Sequence, residues 1–506
     1  MGRGAAGGSG AAERARAAAG LEGWLRGPAG VRWDARTVRL GDAGGMLGLL
    51  ASRDLREGEV VARVPRASVL SVRHSAARVA CEAGGLFPEC RASRSDLGLV
   101  VAILAEQSLG ERSRWAGYLR SIPRAAPTPF LWDREQRARL LLGTELASGL
   151  EEELEELKEL HRTRVLPLAE HSPGLLAPRF RRFEKFLEAC SLASSRGFYV
   201  DSELGESLVP LADMLNHKVA LVRLDDADIA GESDEDDSFE GEGNGGEYEA
   251  NGGEAAQQPG HLRGANTRSR SRLSQDCAVC SLPDDLDALF LVMRNPVAEG
   301  HEVFNTYGEL PNAALVHDYG FAVPGNPFNT VNLEGSRVVD IAVSIFGAPA
   351  SRALRALGGV PELIEIPATD RPEEPCRPRI PIELLHVLEV CDPDHRPVAG
   401  AGLAGVSPGR GCRFLKHVLR DRLSQYGGGS PPACEEVAEL QRLRRSGQGA
   451  EPEALATALR ASEKALLEHL FDQVLRRRDR TAGARRPASD QIRRTRNKLA
   501  RRTAPE

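Results

Sequence analysis

Two Tyr-Gly pairs and an upstream Asn-His pair carry the side chains best suited to chemistry in this sequence. Tyr307-Gly308 and Tyr319-Gly320 are twelve residues apart, and Asn216-His217 lies ninety residues before the first pair. Glycine allows a close approach of backbone to ligand because it lacks a Cβ. Tyrosine offers a hydroxyl and an aromatic face, which suit recognition of an amine or another cation. The pairs therefore predict a site for an amine-bearing group.

Hydrophobic periodicity predicts the elements that must position these residues. Residues 47–70 are rich in aliphatic and β-branched side chains, which favours short strands in a curled set of small sheets. Residues 96–182 have helical spacing, and residues 288–293 again favour a strand. From about residue 335 the pattern is helical to the basic end. This order predicts a β-rich domain interrupted by helices and followed by a helical domain.

Three segments have the composition of disordered chain. Residues 1–20 consist mainly of Gly, Ala and Arg, and residues 223–275 have almost no apolar content. Thirteen acids and no base occur in residues 225–254, whereas residues 476–502 carry twelve Arg or Lys and two acids. We predict a disordered start at 1–20, a disordered loop at 223–275 and a basic tail at 479–506. That tail could contact nucleic acid, act as a nuclear signal or remain a solvated terminus.

Composition excludes several classes of protein. A chain of 506 residues with 41% hydrophobic and 27% charged residues fits a soluble protein of two or more domains. No run of 18 apolar residues is present, so no membrane partner is expected. Nine scattered cysteines indicate free thiols in a reducing compartment. Cys277 and Cys280 lack a second pair at zinc-site spacing, so no metal site is expected.

Several motifs, taken together and in order, resemble the SET-domain methyltransferases of the Rubisco large-subunit lysine methyltransferase group. The principal ones are Asp213-x-x-Asn216-His217, Glu302-Val303-Phe304-Asn305-Thr306-Tyr307-Gly308 and Asn312-x-x-Leu315-x-x-x-Tyr319-Gly320-Phe321. Further matches are Ser195-Arg196-x-Phe198 and Leu104-x-Glu106-x-x-x-Gly110-x-x-Ser113-x-Trp115-x-x-Tyr118-Leu119. The resemblance extends over residues 21–325.

The resemblance implies a fold and a domain order. Residues 21–325 would form a β-rich SET domain of small sheets in a knot-like arrangement. Residues 96–195 would be a helical insert in that domain, and 223–275 a disordered loop. An all-α substrate-binding domain would follow at residues 335–478.

The resemblance also implies an activity. It is the transfer of a methyl group from S-adenosyl-L-methionine to a lysine of a non-histone protein, either ribosomal or nuclear. The expected location is the nucleus or the cytoplasm rather than the chloroplast. Two alternatives stay open, a histidine methyltransferase of the actin-directed type and a SET scaffold without catalysis. The scaffold alternative is motivated by Met46, which stands where the family has the first glycine of Gly-x-Gly; Gly44 and Gly45 could compensate.

Residue roles follow from the resemblance in the same way. Tyr307 would be the catalytic hydroxyl nearest to the amine and the methyl group, and would also touch the cofactor. The implied walls of the substrate channel are Phe198, Tyr319 and Phe321. The implied cofactor contacts are Met46, Leu47 and Gly48 at the methionine moiety, Arg196 at its carboxylate, Asp213 on the cofactor or on Arg196, and Asn216 and His217 at the adenosine end. His301 and His317 are expected near the surface without a catalytic role.

Overall fold

The computed structural model describes residues 6–43, 46–86, 97–219, 276–356, 358–368, 378–396, 402–449 and 451–484. The predicted loop at 223–275, both Gly44 and Gly45, and the tail beyond residue 484 lie outside these ranges. Its α-helices are α1 Ala6–Arg26, α2 Arg78–Ala83, α3 Leu97–Leu109, α4 Ala116–Ser121, α5 Arg134–Leu140, α6 Leu150–Leu160, α7 Leu166–His171, α8 Phe183–Arg196, α9 Asn312–Ala314, α10 Gly335–Phe346, α11 Ala348–Ala356, α12 Ile382–Cys391, α13 Arg410–Ser424, α14 Ala433–Arg445 and α15 Pro452–Ala484. Its strands are β1 Arg32–Trp33, β2 Val38–Ala43, β3 Met46–Ala51, β4 Val60–Pro65, β5 Gly197–Tyr199, β6 Glu206–Leu208, β7 Cys277–Leu282, β8 Asp285–Met293, β9 Glu302–Val303, β10 Thr330–Glu334 and β11 Leu363–Pro367.

The strands form small antiparallel sheets, as the sequence predicts. One sheet has four strands in the order β1-β4-β8-β7, and another has three in the order β2-β3-β9. Strands β5 and β6 form a pair of their own. In the three-stranded sheet, Leu50 of β3 faces Glu302 of β9. This register brings the start of the first Tyr-Gly motif beside the strand that contains Met46 and Gly48.

The helices between the strands supply one wall of the main core. Helix α3 is buried along nearly its whole length and packs against α8. Helix α6 is amphipathic, with Leu150 and Leu154 buried and three glutamates in its first turn, where the helix dipole favours negative charge. Helix α8 ends at Arg196, so one of the predicted site residues stands at the helix–strand junction. The predicted helical character of this part of the chain is confirmed.

The prediction of a disordered N-terminus is wrong for residues 6–20, which belong to helix α1. The segment is rich in alanine, which has the highest helix propensity. Its continuation buries Leu21, Trp24 and Leu25 against the main core. Helix α1 packs against α4, so tertiary contacts stabilise a helix that composition alone did not indicate.

The prediction of an all-α C-terminal domain is also wrong, because β10 and β11 form an antiparallel pair. Val331 faces Ile366, and Leu333 faces Ile364, with all four side chains buried. The rest of this region is helical, and Leu466, Leu470 and Val474 are buried along α15 as their spacing predicts. Among the described helices, none has the length and apolar character needed to cross a bilayer.

Candidate active site

The Asn216-His217 segment and the first Tyr-Gly motif meet in a parallel β-bridge between His217 and Asn305. The amide of Asn305 donates to the Asn216 carbonyl at 3.0 Å, and the amide of Lys218 donates to the Asn305 carbonyl at 2.9 Å. The amide of Tyr307 donates to Nδ1 of His217 at 3.1 Å. Two segments that are ninety residues apart in sequence are therefore adjacent in space.

His217 is neutral in this arrangement. Its Nδ1 accepts a hydrogen bond from a backbone amide, so the ring proton belongs on Nε2. Burial lowers the pKa of His217 to about 4. The imidazole therefore adds no positive charge to the site near neutral pH, where a second cation would repel a sulfonium or an ammonium group.

The phenol of Tyr307 lies inside an aromatic cluster formed with Tyr319 and Phe321. The rings of Tyr307 and Tyr319 stack at 4.7 Å with an interplanar angle of 21°, and Phe321 meets both edge-on at 6.1–6.2 Å. The Tyr307 hydroxyl donates to the Leu215 carbonyl at 3.1 Å. Burial raises the pKa of Tyr307 to about 12. The phenol therefore stays protonated near neutral pH and is a hydrogen-bonding group rather than a base.

The position of Tyr319 is fixed by a glycine that follows it. The segment Leu315–Tyr319 is π-helical and ends at Gly320, whose φ is 71°. A Cβ on Gly320 would lie 2.7–2.9 Å from atoms of Pro127 in the helical insert. Only glycine accepts both the left-handed backbone and this close approach.

His317 links the same segment to helix α6. Its Nε2 lies 3.0 Å from the Glu153 carboxylate, and its Nδ1 lies 2.5 Å from that of Asp318. Burial lowers the pKa of His317, but the hydrogen bonds to Asp318 and Glu153 outweigh it and raise the pKa to about 9. The expectation of a near-surface position is wrong for His317, which is buried; His301 is exposed.

Arg196 and Asp213 form an ion pair beside this cluster. Nη1 of Arg196 donates to Oδ2 of Asp213 at 2.9 Å and to the Asp213 carbonyl at 3.0 Å. The phenol of Tyr118 donates to the same Oδ2 at 2.7 Å. Burial raises the pKa of the Asp213 carboxyl, against the opposing effects of Arg196 and Tyr118. Its other oxygen, Oδ1, is buried and has no hydrogen-bond partner among the described residues.

The backbone just before Asp213 is strained. Leu211 has a φ of 76°, which no other non-glycine residue in the described chain shares. A bulky side chain rarely adopts a positive φ, and such strain persists only where surrounding contacts enforce it. Leu211 is fully buried and precedes the short 3-10 helix Ala212–Met214. The strained turn thus lies two residues before the carboxylate that binds Arg196.

Strand β3 closes the site opposite Asn216. The amide of Asn216 donates to the Glu302 carboxylate at 2.5 Å. A Cβ on Gly48 would lie 2.7 Å from that carboxylate and 3.0 Å from the Asn216 amide. Gly48 therefore leaves room for the Asn216–Glu302 contact. Met46 is 58% exposed at the start of the strand, and Leu47 is partly buried.

The two chain ends on either side of residues 220–275 come back together next to the site. Nζ of Lys218 lies 3.3 Å from the Asp276 carboxylate. The amide of Asp276 donates to the Phe304 carbonyl at 3.1 Å. The described residues on the two sides of that segment are therefore adjacent in space.

Solved structures decide the fold. The SET domain of LSMT bound to lysine and AdoHcy superposes with a TM-score of 0.53 at 18% identity, covering 95% of this chain and 98% of that chain. The structure of Rubisco LSMT bound to AdoMet superposes with a TM-score of 0.54 at 18% identity, covering 91% and 92%. The chain has a SET-domain fold.

Curated relatives of this SET-domain chain are lysine methyltransferases by name. N-lysine methyltransferase SETD6 of Bos taurus is 26% identical over 322 residues, which cover 61% of this chain and 58% of that protein. Human SETD6 is 27% identical over 323 residues, covering 61% and 55%. Ribosomal lysine N-methyltransferase 3 of Saccharomyces cerevisiae is 28% identical over 345 residues, covering 57% and 59%. This chain thus spans little more than half the length of these relatives. No family model matches it.

The predicted resemblance is confirmed, and the SET domain brings most of the predicted site residues together. Tyr307, Tyr319 and Phe321 share one cluster with His217, and Arg196 pairs with Asp213. Phe198 is partly buried against the main core, and within the described chain no ring contact joins it to the cluster. The roles assigned to these residues stay predictions.

Sequence reasoning missed two residues of the SET domain site, Glu302 and Tyr118. Both stand inside motifs that carry the resemblance, yet neither received a role. Glu302 binds the Asn216 amide, and burial raises the pKa of its carboxyl. Tyr118 binds Asp213 from helix α4. A carboxylate directly before the buried Val303 was the available signal for Glu302; a single tyrosine in a helix gave none for Tyr118.

Proposed function

We propose that this chain is an S-adenosyl-L-methionine-dependent protein-lysine N-methyltransferase. The observation that carries the proposal is the protonated phenol of Tyr307, held in an aromatic cluster against the Asn216-His217 segment and close to the Arg196–Asp213 pair. The names of the curated relatives and the SET-domain fold support the same reaction.

The residues present fit the cofactor. Arg196 makes its described hydrogen bonds through one guanidinium nitrogen, so the rest of the fork is available for the methionyl carboxylate. The orphaned Oδ1 of Asp213 is a buried acceptor beside it. Asp213 therefore orients Arg196, and a cofactor donor could satisfy its second oxygen. Met46 and Leu47, the residues proposed to line the methionine moiety, lie on the same strand as Gly48, whose missing Cβ makes room for the Asn216–Glu302 contact.

The adenosine end would be held by Asn216 and His217 through backbone groups. The side chain of Asn216 is already committed to Glu302, and Nδ1 of His217 to the Tyr307 amide. The bridge to Asn305 uses the carbonyl of Asn216 and the amide of Lys218. The backbone amide of His217 takes no part in the two hydrogen bonds of this bridge.

The chain's own residues would prepare the lysine for attack. The bound cofactor supplies a methyl group on a sulfonium centre. A lysine amine must be neutral to react, and from its ordinary pKa of about 10.4 this costs roughly 4–5 kcal/mol at pH 7. The rings of Tyr307, Tyr319 and Phe321 exclude water around the amine, which lowers its pKa. The protonated Tyr307 hydroxyl orients the amine, and alignment can supply ~7–11 kcal/mol of the barrier.

We further propose that residues 335–478 bind the protein substrate, and that this substrate is a non-histone protein, ribosomal or nuclear. The buried helical core of this region and its connection to the insert support the proposal. Arg422 of α13 pairs with Glu145 of the insert at 2.9 Å. A rigid junction of this kind would keep the substrate surface in a fixed relation to Tyr307. Residence in the nucleus or cytoplasm is part of the same proposal.

The test combines binding with product analysis. Calorimetry should detect S-adenosyl-L-methionine binding to the purified chain, and incubation with labelled cofactor and a protein extract should label a discrete protein. Mass spectrometry of its peptides should locate the methyl group on lysine. A methyl group on histidine would establish the alternative enzyme, and absence of cofactor binding would favour the scaffold.

A further inference from the structure

We propose that Tyr118 is a positioning residue of the cofactor site, because its phenol fixes the Asp213 carboxylate that holds the Arg196 guanidinium. The inference rests on the proposed function, in which Arg196 binds the methionyl carboxylate. It assigns a function to a residue of helix α4 that contacts neither substrate nor cofactor directly.

Two side chains from different elements, Tyr118 of α4 and Arg196 of α8, donate to one oxygen atom of Asp213. Oδ2 of Asp213 accepts the Tyr118 hydroxyl at 2.7 Å and Nη1 of Arg196 at 2.9 Å. Tyr118 is 95 residues from Asp213 in sequence, and Arg196 is 17 residues from it. The side chain of Asp213 is fully buried, whereas that of Arg196 is 21% exposed. The carboxylate is therefore shielded from solvent more completely than the arginine that it binds.

Tyr118 is itself held rigidly. Its ring stacks on Trp24 of α1 at 5.8 Å, and the Trp24 indole donates to the Arg114 carbonyl at 2.9 Å. A Cβ on the neighbouring Gly117 would lie 2.6–2.7 Å from Trp24, so glycine permits this close packing. The phenol therefore approaches Asp213 from a fixed direction. Helix α1, which the sequence did not predict, is the base of this support.

The phenol favours one orientation of the carboxylate. Burial raises the pKa of Tyr118 well above its ordinary value, so the hydroxyl is a permanent donor. Without it, the Asp213 carboxylate keeps only Arg196 as a charged partner, in a site that has no other donor to Oδ1 among the described residues. The carboxylate can then rotate about its last torsion, and the guanidinium fork loses its fixed direction.

The experiment is calorimetric titration of the full chain with S-adenosyl-L-methionine. Tyr118→Phe should raise Kd by about 10-fold or more, since a hydrogen bond to a charged group commonly contributes that much. The kcat at saturating cofactor should change by less than about threefold, because the aromatic cluster at Tyr307 is intact. Tyr426→Phe is the matched control, since that phenol also donates at 2.7 Å to the carboxyl group of a buried acid, Glu463, away from the cofactor site. Its Kd should stay within twofold of the wild type.

Measuring the cofactor affinity over a series of pH values distinguishes a positioning role of Tyr118 from a general loss of structure in the variant. The groups that face Asp213 are Tyr118 and Arg196 by contact and Tyr307 electrostatically. The Tyr118 hydrogen bond favours the ionised carboxylate, so in Tyr118→Phe the Asp213 carboxyl takes up a proton at higher pH than in the wild type. As the pH is lowered, the cofactor affinity of the variant should therefore begin to fall at a higher pH than that of the wild type. A variant that is weakened equally at every pH would indicate a merely structural role and overturn the inference.

A second variant covers the case in which Tyr118→Phe folds poorly. Asp213→Asn removes the buried charge, so adding Tyr118→Phe to it leaves no uncompensated carboxylate. The double variant should bind the cofactor within twofold of Asp213→Asn, whereas a further 10-fold loss would overturn the inference. If the wild type and a folded Tyr118→Phe variant bind the cofactor equally, the inference about Tyr118 is overturned and the proposed function stands. Absence of binding by the wild type would instead overturn the proposed function, and the inference with it.

Discussion

Two buried clusters in this molecule contain the same types of side chain, but they differ in how many of their hydrogen-bonding atoms have partners. In each, a tyrosine hydroxyl donates at 2.7 Å to the carboxyl group of a buried acid that has an arginine nearby. In the C-terminal cluster, Arg422 donates to the Asn332 carbonyl, the Gly143 carbonyl and the Glu145 carboxylate. Glu463 there accepts from the Glu145 amide and from Tyr426 through its two oxygens.

The cluster around Asp213 is incomplete by comparison. One guanidinium nitrogen of Arg196 makes its described bonds, and Oδ1 of Asp213 has no described partner. Buried polar groups in proteins are almost always paired, so unused capacity needs an explanation. The saturated cluster joins two regions of the chain, and the unsaturated one has capacity left for a ligand.

The largest expected effect is on stability at the saturated cluster. Arg422→Lys keeps the charge but cannot reach three acceptors with the geometry of a guanidinium. We expect the free energy of unfolding to fall by about 3 kcal/mol, since each lost bond to a charged group is worth ~1.5–3 kcal/mol. Urea denaturation measures this change, and calorimetry should find the cofactor Kd unchanged. A weakened cofactor affinity would break the proposed division between the clusters.

Tyr307→Phe should show the reverse pattern. Turnover should fall about 100-fold, the size typical for loss of one oriented hydrogen-bonding group at a reacting centre. Cofactor Kd and urea midpoint should stay close to the wild-type values, because the ring packing is retained. Single-turnover methylation with labelled cofactor measures the effect. Unchanged turnover would contradict the role assigned to the phenol.

His317, with Glu153 and Asp318, forms a third ionic group whose hydrogen-bonding atoms have partners, and its contribution to stability can be tested by changing the pH. Its pKa is raised from 6.5 to about 9, so the stability that it contributes is fully present below pH 6.5 and is lost as the pH rises through about 9. Between these values the wild type should lose on the order of 2 kcal/mol more unfolding free energy than His317→Gln. Urea titrations at both pH values cancel the groups common to the two proteins. Parallel losses would contradict a charged His317.

Arg196→Lys should give the smallest effect. It makes in the Asp213 cluster the same substitution that Arg422→Lys makes in the C-terminal cluster. The ammonium can still neutralise Asp213 and can replace the single guanidinium nitrogen that makes the described bonds, so the free energy of unfolding should change by less than about 1 kcal/mol. The lost fork should raise the cofactor Kd roughly 10-fold. Thermal melting and calorimetry on the same samples make the comparison. A large loss of stability with unaltered affinity would assign this arginine to structure.

Local patterns predicted the elements near the site but not all of those around it. The strand at residues 288–293, the helices within residues 96–182 and the apolar face of α15 follow from short-range periodicity. The pair β10–β11 was missed because its partners are about thirty residues apart with two helices between them. Strand pairing over such a distance is decided by tertiary packing rather than by propensity.

The same reason explains the two missed site residues. Glu302 acquires its role from an amide 86 residues away, and Tyr118 from a carboxylate 95 residues away. Motif order located Tyr307, Tyr319 and Phe321 correctly in one cluster, because a family pattern encodes contacts that a single sequence does not display. Phe198, which rested on the same pattern, lies in β5 and is partly buried against the main core, and its role as a channel wall stays a prediction.

Lys218 and Asp276 are in contact although 58 positions separate them in the sequence, so the chain could be cut between them without separating these two residues in space. A cut between these two residues yields one fragment with Arg196, Asp213 and His217, and another with Tyr307 and Tyr319. Neither fragment alone contains both the guanidinium that would grip the cofactor and the phenol that would guide the amine. Under the proposed function, methyl transfer by a mixture of the two fragments would report their reassembly, and the chain could serve as a split reporter of complementation.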